Sequence, residues 1–109
     1  MPPKPIKYPH PKAVGLGYET AKIIGRAMYR ESFFKWGSYM RIVDLVQWEK
    51  YGHKEIRFCQ YYRKTGGTDN DWIFGQGAGH MSVKTFYKLI HKAKTNPDYG
   101  TFENIFDKL

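Results

Sequence analysis

At 109 residues the chain has the length of one domain, enough for a single modest core. Its 18 lysines and arginines against 10 acids give a net charge of +8, and nine Tyr, seven Phe and three Trp make it rich in rings; that balance favours nucleic acid, with an anionic membrane surface as the competing reading. No apolar run approaches the roughly 18 residues of a membrane helix, the start lacks the apolar segment of a secretion signal, and the single Cys59 offers neither a disulfide nor metal-ligand spacing, so an intracellular protein (cytoplasm, nucleoid or nucleus) without membrane partner or cofactor is expected.

Residues 1–38 read as a basic arm. From Met1 to Lys12 five prolines interleave with three lysines, a composition that predicts an extended segment able to track phosphates or lie across a neighbouring subunit, but neither helix nor ladder. After Gly15 and Gly17, Ile23, Ile24, Ala27, Met28 and Phe34 recur near helical spacing, which predicts a short helix over 19–31 with Gly25 as its weak point.

The character then turns to β-branched and aromatic residues. Arg41 to Trp48 reads as a strand apolar at most positions, and the Gly52-containing turn joins it to a second strand, Lys54 to Lys64, as a hairpin. That second strand alternates cleanly: Ile56, Phe58, Gln60 and Tyr62 on an apolar face, Glu55, Arg57, Cys59, Tyr61 and Arg63 on the other. Thr65 to Asp71 reverses the chain into a short strand, Trp72 to Phe74. The run Gly75-Gln76-Gly77-Ala78-Gly79-His80 fits neither the P-loop nor the dinucleotide fingerprint, and reads as a loop that lets backbone approach a ligand.

His80 to Val83 is expected as a last short strand, and Thr85 to Lys94 as the clearest helix, capped by Ser82 or Thr85 and stopped by Asn96-Pro97. Phe86, Leu89, Ile90 and Ala93 share one stripe of it, wider than one helix on a small sheet needs, so a dimer mate is expected to cover part of that stripe. In the extension 96–109, Phe102, Ile105, Phe106 and Leu109 recur at helical spacing, either as a docking tip for a partner protein or, preferably, packed on the protein itself or its mate.

From Met40 to Ile90 this order of elements resembles the PC4-like family of transcriptional coactivators, single-stranded DNA-binding proteins. The resemblance rests on Glu55-Ile56-Arg57 leading to Tyr61-Tyr62, on a Trp72-containing third strand, and on Met81-Ser82-Val83 before the helix. The family's Pro-Gly-Lys-Lys-Gly-Ile-Ser-Leu block is replaced here by Phe74 to Val83, two residues longer and without its lysines. The resemblance implies an α+β domain over 39–95, a four-stranded antiparallel sheet followed by a C-terminal amphipathic helix. It also implies a homodimer with paired helices, whose sheets bind single-stranded DNA in transcription, replication or recombination.

On that basis Trp48, Tyr61 and Trp72 are the candidate stacking platforms, and Arg41, Lys50, Lys54, Arg57, Arg63 and Lys64 the phosphate contacts, with Gln76 in the glycine loop and Arg57 carried over from the Ile-Arg match. The four histidines lack metal-type spacing and no nucleophile-base arrangement stands out, so no enzyme is expected. Two alternatives remain: a basic structural subunit of a ribonucleoprotein or other complex, and a small nuclease holding Mg²⁺ with Asp69, Asp71 and His80.

Overall fold

A computed structural model describes residues 6–8, 19–33, 37–49, 52–67, 72–75 and 80–108. Its elements are β1 (Ile6–Tyr8), β2 (Glu19–Phe33), β3 (Gly37–Trp48), β4 (Lys54–Arg63), β5 (Ile73–Gly75), α1 (Val83–Thr95) and β6 (Tyr99–Gly100). Strands β1 to β5 lie side by side in chain order, each antiparallel to the next, and β6 adds to β2. The fold is therefore α+β, with a four-stranded antiparallel sheet, β2 to β5, followed by one C-terminal helix. The short β1 and β6 extend it.

The make-up of that sheet differs from the expectation at both ends. Residues 19–31 form strand, not helix: β2 pairs with β3 down to Phe33 opposite Gly37. From Arg26 onward the segment alternates, Arg26, Met28, Arg30 and Ser32 against Ala27, Tyr29, Glu31 and Phe33, and a long partner strand rewards that alternation with a hydrogen-bonded ladder. Nor do residues 80–83 form a strand. Ser82 is the N-cap of α1, its hydroxyl accepting the Thr85 amide at 3.1 Å, so the helix begins at Val83. The proline-rich arm also holds a ladder, since Ile6-Lys7-Tyr8 lies between Pro5 and Pro9, keeps three amide donors, and pairs at the β2 edge with Ala21, Thr20 and Glu19. A boundary at 38/39 thus does not divide the structure.

Helix α1 lies on one face of β2 and β3. Ala27, Val43 and Leu45 from the strands meet Leu89, Ile90 and Ala93 from the helix, and Phe102 and Phe106 of the tail close the same core. Leu89 is 0%, Ile90 5% and Ala93 3% exposed within the single chain. The stripe expected to meet a dimer mate is thus filled by the protein's own sheet and tail, while Phe86, half-buried, rests near Phe58 with ring centroids 6.0 Å apart.

The tail packs on its own chain for identifiable reasons. The Asp98 carboxylate accepts the Met28 amide at 2.6 Å and Lys92 Nζ at 2.9 Å. In the β2–β6 pair Gly25 faces Gly100, and a Cβ on Gly100 would stand 1.9 Å from the Ile24 carbonyl oxygen; two glycines are what this backbone approach requires. Among the described residues no helix is long and apolar enough to cross a membrane.

Candidate nucleic-acid interface

The face of the sheet turned away from α1 carries the charge. Because Val43 and Leu45 point under the helix, pleating sends Met40, Ile42 and Asp44 of β3 to the other side. The registers then build four rows across β2, β3 and β4: Arg26, Asp44 and Arg57; Met28, Ile42 and Cys59; Arg30, Met40 and Tyr61; Ser32, Ser38 and Arg63. Adjacent rows are two residues apart along each strand, about 7 Å.

In the first row one carboxylate holds two guanidiniums. Arg26 donates Nε to Asp44 Oδ1 at 2.7 Å and Nη2 to Oδ2 at 2.9 Å, and Arg57 donates Nη2 to the same Oδ2 at 2.8 Å. The Asp44 side chain is 0% exposed, whereas those of Arg26 and Arg57 keep 14% and 24%. Burial alone would lower the Arg26 pKa, but the hydrogen bonds and charge of Asp44 outweigh it, and Arg26 sits above its ordinary value. Burial, only partly opposed by Arg57, pushes the neighbouring Cys59 thiol up, so it stays protonated at neutral pH.

The middle rows are apolar apart from Arg30. Met28, Met40, Ile42, Tyr61 and Trp72, with the Arg26 stem, line a cavity of about 260 Å³. The guanidinium carbon of Arg63 lies 4.6 Å from the centre of the Trp72 ring and that of Arg30 lies 5.6 Å away, both within cation–π reach. In the last row Ser32 and Ser38 hydroxyls meet at 3.1 Å, beside the Arg30 guanidinium.

Of the residues singled out from sequence, Arg57, Tyr61, Arg63 and Trp72 come together here. Arg41 does not: it occupies an odd position of β3, on the helix side, where it donates to Glu31 at 2.7 Å and to Gln60 and lies over the Tyr39 ring. Trp48 is 1% exposed, packed with Ala21, Ile23 and Val46 and stacked on His53, so it is core and not a platform. Lys54 is also on the helix side, paired with Glu103 of the tail at 2.7 Å. Lys64 is exposed just beyond β4.

Lys50, Gln76, Asp69 and Asp71 lie outside the described residues, and among the described ones no three His, Cys, Asp or Glu side chains gather as a metal group. The sequence reading missed Arg26, Met28, Arg30, Met40 and Asp44. A signal was present in Arg26-x-Met28-x-Arg30-x-Ser32, a period-two string of cations and apolar residues. No family model matches the chain, and neither does a curated protein or a solved structure.

Proposed function

We propose that the protein binds single-stranded nucleic acid, without base preference, on the sheet face turned away from α1. The observation that carries this reading is the row order of that face: Arg26, Arg30, Arg57 and Arg63 interleave with Met28, Met40, Tyr61 and Trp72. A flexible polyanion offers phosphates and unstacked bases together, and a surface that sets arginines beside apolar side chains and the rings of Tyr61 and Trp72 matches both. Duplex DNA hides its base faces, leaving Tyr61 and Trp72 without a partner. DNA rather than RNA is the choice that the PC4-like resemblance implies. A dimer through the α1 stripe is not part of the proposal, because that stripe is occupied.

The test is fluorescence anisotropy of a labelled oligo-dT, and of a duplex of equal length, across a salt series. The single strand should bind more tightly, with a log–log salt slope of about −0.7 for each phosphate neutralised. Arg57→Ala should flatten the slope by about that amount, whereas Trp72→Ala should cost about 1–3 kcal/mol of affinity with little change in slope. Equal affinity for duplex and single strand, or indifference to both substitutions in folded protein, would show that this face is not the site.

A further inference from the structure

The last row of the interface opens into a second cavity, of about 210 Å³, where the β2–β3 hairpin ends against the turn after β4. Three cations line it, Arg30, Arg63 and Lys64, together with the hydroxyls of Ser32 and Ser38 and the backbone of Gly66; no acidic residue is among the described residues that line it. Ser38 is 8% exposed and its hydroxyl stands 3.5 Å from Arg30 Nη2. Gly67 keeps the space clear, since a Cβ there would come within 2.8 Å of the Arg63 stem. Gly66 has φ +85°, a conformation that leaves the turn to glycine.

This cavity adjoins the apolar one. Ser38 and Met40 lie on the same face two residues apart, about 7 Å along the strand, and Arg30 and Arg63 touch both the polar cavity and the Trp72 ring. A polar, cationic hollow beside an apolar, ring-edged one has the two halves that a nucleotide presents. The hollow also lies where the ladder of rows stops. A phosphodiester inside a strand has a single charge, whereas a terminal phosphomonoester near neutral pH is close to a dianion with three acceptor oxygens, a better match for a hollow lined by three cationic residues and two serines.

We propose that the two cavities together form a site for a nucleotide bearing a terminal phosphomonoester: the phosphate among Arg30, Arg63, Lys64, Ser32 and Ser38, the base against Met28, Met40, Tyr61 and Trp72. The inference rests on the single-strand reading and adds that the interface recognises a phosphorylated end. A free mononucleotide has the same chemistry, and the experiment separates the two sources.

An oligo-dT labelled on an internal base is prepared with a 5′-phosphate, with a 3′-phosphate and with hydroxyls at both ends, and each is titrated at constant ionic strength. One phosphorylated form should bind about tenfold tighter than the hydroxyl form, the scale of one charge-assisted hydrogen bond. Lys64→Gln, at an exposed turn position, and Ser38→Ala should each shrink that ratio. The ratio should also fall from pH 7.5 to 5.5, as the phosphomonoester takes up its proton near pH ~6. Competition by thymidine monophosphate, where inorganic phosphate has no effect, supports the site and extends it to the free nucleotide. Equal binding of all three strands overturns the inference and leaves the sheet-face reading intact. Loss of all strand binding with thymidine monophosphate still bound overturns the sheet-face reading and keeps the nucleotide site; no binding of any probe overturns both.

Discussion

Asp44→Asn should weaken the fold and strengthen the binding, and the two effects come from the same atoms. The Asp44 carboxylate is fully buried and accepts from two guanidiniums whose side chains are 14% and 24% exposed. Breaking a buried ion pair costs about 3–5 kcal/mol, but here both cations keep access to water and the amide retains one acceptor oxygen. A loss of about 2–3 kcal/mol in unfolding free energy is the expected result, read as a lower urea midpoint at unchanged m-value. The same change removes the negative charge that half-neutralises Arg26 and Arg57. One further unit of positive charge becomes available to phosphates, so affinity for oligo-dT at low salt should rise and the salt slope should steepen by about 0.7, the single-strand value per phosphate. A folded Asp44→Asn protein with unchanged affinity and slope would refute the assignment of the first row to the interface.

Leu89→Ala should cost about 2–5 kcal/mol, because the side chain is 0% exposed in the single-chain core. The loss should not depend on protein concentration; a midpoint that moves with concentration in wild type and variant alike would return the stripe to a dimer contact. Cys59 governs an alkaline limb of stability, since its thiol is held above the ordinary value by burial. The folded state therefore keeps its proton longer than the unfolded chain does, so stability is intact below the ordinary thiol range near pH ~8.5 and declines as pH rises through it toward the folded value. Between pH 7 and 10 the wild type should lose more stability than Cys59→Ala, and equal losses would show that the thiol is not buried against Asp44 and Arg57.

How much of this was legible depends on phase. In β4 the alternation runs unbroken from Lys54 to Arg63, and the side of the sheet taken by Arg57, Tyr61 and Arg63 could be read directly. Helix α1 was equally plain, carried by its stripe and its Ser82 cap. Strand β2 was not, because of the irregularity between Ile23 and Gly25: Ala21 and Ile23 face away from the helix, opposite Trp48 and Val46, whereas Gly25 and Ala27 face toward it, opposite Leu45 and Val43. One extra residue reverses the phase, so no single period-two template spans the segment, and Ile23, Ile24, Ala27 and Met28 fell by accident on helical spacing. With β2 misread, Arg26 and Arg30 had no face. Arg41 and Trp48 failed for another reason. Strand β3 is apolar on both sides, so its pattern could not say which face a given residue took, and burial of Trp48 against Ala21 and Val46 is a tertiary fact.

A carboxylate on a surface proposed to hold a polyanion needs a reason, and its position supplies one. A lone arginine on an exposed strand samples many rotamers, and ordering it on a ligand costs about 0.5–1.5 kcal/mol. Asp44 orders two at once while cancelling the charge of one, leaving a preorganised cation pair of net single charge. It sits in the first of the four rows. In the last two rows Arg30 and Arg63 lie over the Trp72 ring, and Arg30 also reaches the Ser38 hydroxyl. On the proposed reading the phosphorylated end of a strand lies in the polar cavity at the hairpin end and the rest of the strand runs along the rows toward Asp44, so that the sheet binds its ligand in one direction.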